Sequence, residues 1–405
     1  MINQSLIKYS LHNMKKRATR SFLTILSVLI GITAITSLIS FGQGISSYVE
    51  DFSQQMGNDK IIIQPRGAGF GGPQLNSNVR LDESDLDAAR DVHGVEEATG
   101  VYVLSAEIES EDQKKYSYLF GSDFKDHADL ITEVYALDIV DGQELSGNEK
   151  NKAVLGYNYQ LKNKIFDKPL KLRDKVLVNG HPFKIAGFYE EIGNPIDDAN
   201  IYLTGTAVEE LFGADNYQFI LVRSASGTSA PDLAKVIEEE LRGHRNQKKG
   251  HEDFFVQTFE QVIESFNAIL SGITGAVILI ALISVIVAAV NTMNTMYAAI
   301  LERTKEIGVF KAIGSRNTDI LFIFVFESGL LSLIGGIVGV ILGFIISHYA
   351  GQLIAQAGYA IFKPIFTWQL VIGSLIFSFI IGIIAGFLPA YRASQLRPID
   401  ALRYE

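Results

Sequence analysis

Four stretches of the chain go without charged residues for long enough to cross a bilayer. Phe22 to Phe41 is twenty residues without a charge, and at about 1.5 Å of rise per residue this spans the roughly 30 Å of hydrocarbon. A cleaved signal peptide is the alternative, but the run is long for one and no small-x-small cleavage site follows before polar sequence begins. From Ser265 to Leu301 there is no charge over 37 residues, which as one helix reaches about 55 Å, so one end is expected to project as a stalk. The third span falls near Leu321 to Tyr349 and the fourth near Leu370 to Leu388. Glycines recur there every fourth residue, at Gly335, Gly339 and Gly343 and again at Gly382 and Gly386. That spacing lets helix backbones approach closely, within or between subunits, although glycine is also common in membrane helices generally. One acid, Glu327, falls inside the third span; so near its edge, it reads as a snorkelling or structurally hydrogen-bonded group ahead of an ion or proton pathway.

Between the first two spans the period changes. DKIIIQP (Asp59 to Pro65) reads as a strand, LDESDLDAARDV (Leu81 to Val92) as a helix with an acidic first turn, and VEEATGVYVLSAEIE (Val95 to Glu109) as strands. A second such unit runs from YQFILVR (Tyr217 to Arg223) through APDLAKVIEEELRGH (Ala230 to His244) to FFVQTF (Phe254 to Phe259). Two βαβ halves separated in sequence predict one split ferredoxin-like sheet. The mostly β segment between them, about 119–213, reads as an inserted subdomain with a hairpin turning on Asn179 and Gly180.

The fold class is thus an α+β membrane protein: four transmembrane helices carrying a large extracytoplasmic α+β domain. The expected order is a terminal segment (1–20), span one (21–45), the large domain (46–263), and span two with its stalk (264–300). A connecting helix (301–317), span three (320–349), a short loop (350–367), span four (368–390) and a tail (391–405) complete it.

Charge sets the orientation. Lys8, Lys15, Lys16, Arg17 and Arg20 precede span one; Arg303, Lys305, Lys311 and Arg316 lie between spans two and three; Arg392, Arg397 and Arg403 follow span four; the loop between spans three and four has only Lys363. By the positive-inside rule both termini and the second connection are cytoplasmic, in a multi-pass protein of the plasma or inner membrane. The formal charge of −10 concentrates in residues 46–263, which hold 22 basic against 38 acidic residues. An acidic surface without a basic stripe argues against nucleic acid as a partner.

Candidate chemistry is sparse. The chain has no cysteine, which excludes disulfides and thiolate metal sites. Gly67, Gly69 and Gly72 match G-x-G-x-x-G after a strand, but PQLNSNVR follows instead of a helix, so a surface loop is the expectation. The seven histidines are scattered without metal-ligand spacing, and no catalytic constellation stands out. The chain therefore reads as a non-enzyme with no cofactor of its own.

Glu302 to Gly314, ERTKEIGVFKAIG, has acids in its first turn, Lys311 near its end and Gly314 at the expected stop. A short helix between two spans either links them in solvent or docks on a partner and passes that partner's motion to both. ERTKEIGVFKAIGS resembles the coupling segment of MacB-type and FtsX-like ABC transporter permeases. GFLPAYRASQLRPIDALRYE (Gly386 to Glu405) is similar to that family's closing segment, and KKRATRSFLTILSVLIGI (Lys15 to Ile32), GNDKIIIQP and AVLGYNYQLKNKIF (Ala153 to Phe166) add to a match along nearly the whole chain.

The resemblance implies a porter-like domain with an insert and a homodimer or paired heterodimer of permeases in membrane lipid. It also implies two ATP-binding subunits, for which Glu302, Arg303, Glu306, Ile307, Lys311 and Gly314 would form the contact helix. Some members carry the ATPase fused at the N-terminus; this sequence contains no GxxxxGK[ST], so a partner ATPase is expected to bind the ATP and Mg. An extracytoplasmic adaptor or substrate protein is a further implied partner. The spans supply no row of polar residues to line a channel, so mechanotransmission that extrudes peptides, hydrophobic compounds or lipoproteins is the leading expectation. The rival is an FtsX-like regulator that activates an extracellular cell-wall enzyme; a membrane-anchored enzyme ranks third.

Overall fold

A computed structural model describes residues 18–66, 79–124, 127–135, 137–147, 149–359 and 362–402. Lys8, Lys15, Lys16, Arg17, Gly67, Gly69, Gly72 and Arg403, named above, lie outside the described residues. The chain divides into two compact units, one of Met1–Ser46, Leu270–Ile354 and Phe362–Glu405, the other of Ser47–Ile269 with Ala355–Ile361.

After the long helix α1 (Ala18–Met56), the elements are β1 (Lys60–Pro65), α2 (Glu83–Arg90), β2 (Val95–Ser110), β3 (Gln113–Ser122), α3 (Ala128–Tyr135), β4 (Ile139–Gly142) and β5 (Lys152–Leu155). Then come β6 (Lys175–Val178), β7 (His181–Tyr189), β8 (Ile201–Thr204), α4 (Gly205–Phe212), β9 (Phe219–Ser224), α5 (Ala230–His244) and β10 (Phe254–Thr258). Helices α6 (Phe259–Glu302), α7 (Thr304–Ala312), α8 (Asn317–Gln356), α9 (Trp368–Ser394) and α10 (Pro398–Leu402) follow.

The first half of the sheet runs β10-β1-β9-β2, with every neighbouring pair antiparallel. Helix α2 joins β1 to β2 and α5 joins β9 to β10, which is the split ferredoxin-like arrangement that the two βαβ halves predict. Period-two alternation buries Ile61 and Ile63 on one face of β1. Helix α2 opens with a capping box in which Asp82 accepts from the Asp85 amide and Asp85 accepts from the Asp82 amide. Helix α5 buries Leu233, Ala234, Ile237 and Leu241, the three-and-four spacing of one helical face.

Strand β2 is long enough to serve both halves. Its Val95–Val101 segment pairs with β9, and Tyr102 to Ser110 pair with β3. The insert therefore starts in mid-strand, ahead of the boundary near 119 that composition suggests, because β2 runs on as one apolar strand, buried without a break from Ala98 to Val103, where it changes partners. The β6–β7 hairpin turns on Asn179 and Gly180, both at positive φ (47° and 82°), as an Asn-Gly type I′ turn requires.

Among the described residues, four helices are long and apolar enough to cross a membrane: α1, α6, α8 and α9. Helix α1 continues to Met56 and α8 to Gln356, past the ends that their charge-free cores mark, since a helix continues through polar sequence until something stops it. The glycines of α8 form a seam within the chain. A Cβ at Gly335 would lie 2.9 Å from the Ile25 carbonyl of α1, and one at Gly339 would lie 3.0 Å from the Leu29 carbonyl. At these positions and at Gly343 the two helices meet backbone to backbone. Thr33 Oγ1 donates to the Gly339 carbonyl at 3.0 Å and Ser37 Oγ to the Gly343 carbonyl at 3.3 Å. Two turns nearer the start of α8, Gly382 and Gly386 of α9 pack against Ser328 and Ser332.

Candidate functional site

The turn from α6 to α8 gathers most of the residues singled out above. Helix α6 breaks at a single residue, Arg303 (φ −105°, ψ 12°), and α7 begins at Thr304. Thr304 Oγ1 bonds back to the Leu301 carbonyl at 2.8 Å, which helps tighten the last turn of α6. The far end of α7 closes with Ser315 N donating to the Phe310 carbonyl at 3.0 Å and Gly314 N to Lys311 O at 3.2 Å. Gly314 takes φ +98°, the left-handed stop for which glycine is suited.

The six residues expected to meet an ATPase differ in burial. Glu302, Glu306 and Gly314 are exposed. Arg303 and Ile307 are buried, at 4% and 2% exposure, and cannot present their side chains to a partner in this conformation. Ile307 packs with Met296, Ile300, Ile320, Phe324 and Ala390 in a core shared by α6, α7, α8 and α9. Lys311 is half-buried; its Nζ donates to the Ser394 carbonyl at 2.6 Å and also to Asn317 Oδ1, tying α7 to the end of α9 and the start of α8. Helix α10 packs against α7, burying Ala401, so the two sequence segments that carried the family resemblance touch.

Arg303 points inward to Glu327, which neither snorkels nor stands alone. Nη1 donates to Oε2 at 2.8 Å and Nη2 to Oε1 at 3.2 Å, a two-bond fork that fixes both planes. The guanidinium also lies 5.9 Å from the centre of the Phe324 ring. Sequence reasoning placed each residue separately and missed the pair. The available signal was that an acid inside a span needs a partner, and Arg303 is the basic residue at the neighbouring helix end.

Each of the two units also holds a concave region. In the membrane-helix unit, Ile35, Ile39, Ile273, Val277, Leu370 and Phe377 of α1, α6 and α9 line an apolar cavity of about 600 Å³. In the sheet unit, a polar cavity of about 340 Å³ lies where β2 changes partners, lined by Glu83, Arg90, Thr99, Tyr102, Glu209 and Tyr217. Tyr102 Oη donates to Glu209 Oε1 at 2.8 Å and Tyr217 Oη to Glu83 Oε2. Burial, reinforced by these carboxylates, raises both phenol pKa values, so the hydroxyls remain protonated donors. Among the described residues no group of three or more His, Cys, Asp or Glu is placed to hold a metal ion.

Residues 21–240 match the MacB-like periplasmic core domain and residues 278–398 the FtsX-like permease C-terminal region. An uncharacterized ABC transporter permease of Methanocaldococcus jannaschii is 37% identical over 405 residues, covering 99% of this chain and 98% of that protein. The uncharacterized ABC transporter permease YknZ of Bacillus subtilis is 27% identical over 98% of each. The macrolide export ATP-binding/permease protein MacB of Acinetobacter baylyi is 30% identical across 98% of this chain, which spans 59% of that longer protein. The crystal structure of the periplasmic region of MacB from Actinobacillus actinomycetemcomitans aligns over 53% of this chain and 94% of that one, with 19% identity and a TM-score of 0.43.

Proposed function

The chain belongs to the MacB-like, FtsX-like family of ABC transporter permeases, and from that premise we propose that it relays work done by a separate ATP-binding subunit to its extracytoplasmic domain. In this reading both termini and α7 face the cytoplasm, as the distribution of Lys and Arg favours. The ATPase grips the exposed side of α7, and closure of an ATPase dimer carries the attached spans of two permease copies with it. The domain outside then changes shape and extrudes its cargo. Hydrophobic compounds, lipid-linked proteins and peptides suit this scheme, and the apolar cavity among α1, α6 and α9 has the chemistry for the first two.

The observation that carries this reading is the build of α7. It is a nine-residue helix between two spans, held to α8 by Arg303, to the shared core by Ile307 and to α9 by Lys311, while Glu302, Lys305 and Glu306 are exposed. A helix fastened on its inner side and charged on its outer side can deliver a push without unwinding.

Charge reversal at Glu302 and Glu306 together tests it, in the full chain assembled with its ATP-binding partner subunit and reconstituted in nanodiscs. ATP-dependent activity is expected to fall at least about tenfold while the sheet domain stays folded. Unchanged activity, or labelling of a Lys305→Cys variant from outside the cell, would overturn the assignment.

A further inference from the structure

We propose that the Arg303–Glu327 pair is a positioning latch that makes α7 and α8 move as one body, so that a stroke on α7 is delivered to α8 and, through the glycine seam, to α1. This rests on the coupling reading above and adds the route by which the motion leaves α7.

The backbone alone would not supply that route. Arg303 is the one residue between α6 and α7, and a lone non-helical residue between two rods is a hinge where a push on one is lost as bending. The structure closes the hinge with the side chain of the hinge residue itself. Both η nitrogens of Arg303 engage the two oxygens of Glu327, 24 positions away on α8. A two-point fork resists rotation as well as separation, which a single contact to a lysine would not. Lys311 secures the opposite end of α7, so the helix is tied at both ends by cations that face inward.

Stability is a poor reason for this pair. Desolvating two charges costs about as much as their attraction returns, and an apolar pair of similar volume commonly matches or exceeds it. What the ion pair supplies and an apolar pair lacks is direction, a defined angle between α7 and α8. Beyond Glu327 the path continues without a loose joint. Gly335, Gly339 and Gly343 bring α8 against the α1 backbone, where Thr33 and Ser37 donate to α8 carbonyls.

The test replaces the pair by an apolar one, Arg303→Met with Glu327→Leu, beside the charge exchange Arg303→Glu with Glu327→Arg. The apolar variant is expected to fold with undiminished thermal stability and to retain the ATPase, yet to lose ATP-dependent activity about tenfold; the exchange variant is expected to recover part of it. Because the chain has no native cysteine, spin labels at Val309→Cys and Ile341→Cys report the α7–α8 distance cleanly. That distance is expected to stay constant between nucleotide-free and vanadate-trapped complexes with the pair intact, and to shift by several ångström in the apolar variant. Full activity in the apolar variant, or a distance that changes with the pair intact, would overturn the latch. If the Glu302 and Glu306 reversal abolishes activity while the apolar variant keeps it, the latch alone fails; if the reversal has no effect, the coupling reading fails as well.

Discussion

Arg245 in the sheet unit and Arg303 at the end of α6 are both withdrawn from solvent, and each faces a buried acid, but they are satisfied in opposite ways. Arg245 spreads its donors over Asp85 (2.8 Å from Nε), Asp253 (3.0 and 3.1 Å) and the Arg80 carbonyl (2.6 Å). Asp85, the Asp82 cap and α2 belong to the same network. Arg303 commits both of its η nitrogens to Glu327. The first arrangement is redundant, and loss of one acceptor leaves others in place with water nearby. The second is a closed pair inside an apolar bundle, where removing one partner strands the other. A network suits a domain that must hold its shape. A single fork suits a joint whose angle matters, since it grips its partner at two fixed points.

Breaking the closed pair should have the largest effect. Arg303→Met leaves Glu327 buried without its cation, and a loss of about 3–5 kcal/mol is expected, read as a marked drop in thermal unfolding temperature of the protein in nanodiscs. The same measurement on the apolar double variant should return to the parent value. A smaller effect is expected at the seam that the latch feeds. Gly339→Leu puts a side chain where even a Cβ meets the Ile32 Cβ at 3.0 Å, and about 1–3 kcal/mol should be lost as α1 and α8 are forced apart. The smallest belongs to the redundant network. Asp253→Asn leaves Arg245 with Asp85 and Arg80, and unfolding of the sheet domain should shift by about 0.5–1 kcal/mol. Equal losses for Arg303→Met and Asp253→Asn would erase the distinction between closed pair and network.

Much of the architecture was legible because it depends on local rules. A charge-free run long enough for the bilayer has few alternatives, so the four spans could be read directly. The βαβ halves were visible through their periods, the β6–β7 turn through Asn179 and Gly180, and the end of α7 through Gly314. The insert boundary was not legible, because β2 is one continuous apolar strand while serving two sets of neighbours. Which side of α7 faces inward was only partly legible. With its mixture of charged and apolar residues, ERTKEIGVFKAIG does not mark which side faces in, and Arg303 and Lys311 looked like surface charges.

By itself the sequence determined where four long apolar helices run, which segments form the two βαβ halves, and which family the protein joins. Those properties follow from burial preference and backbone geometry, which act over a few residues at a time. Only the tertiary structure decided that Arg303 meets Glu327, that Lys311 reaches Ser394, 83 positions away, and that the α8 glycines lie on α1. Each is a meeting between elements distant along the chain, selected by how whole helices pack. The pairing of a buried charge follows from what that packing places beside it.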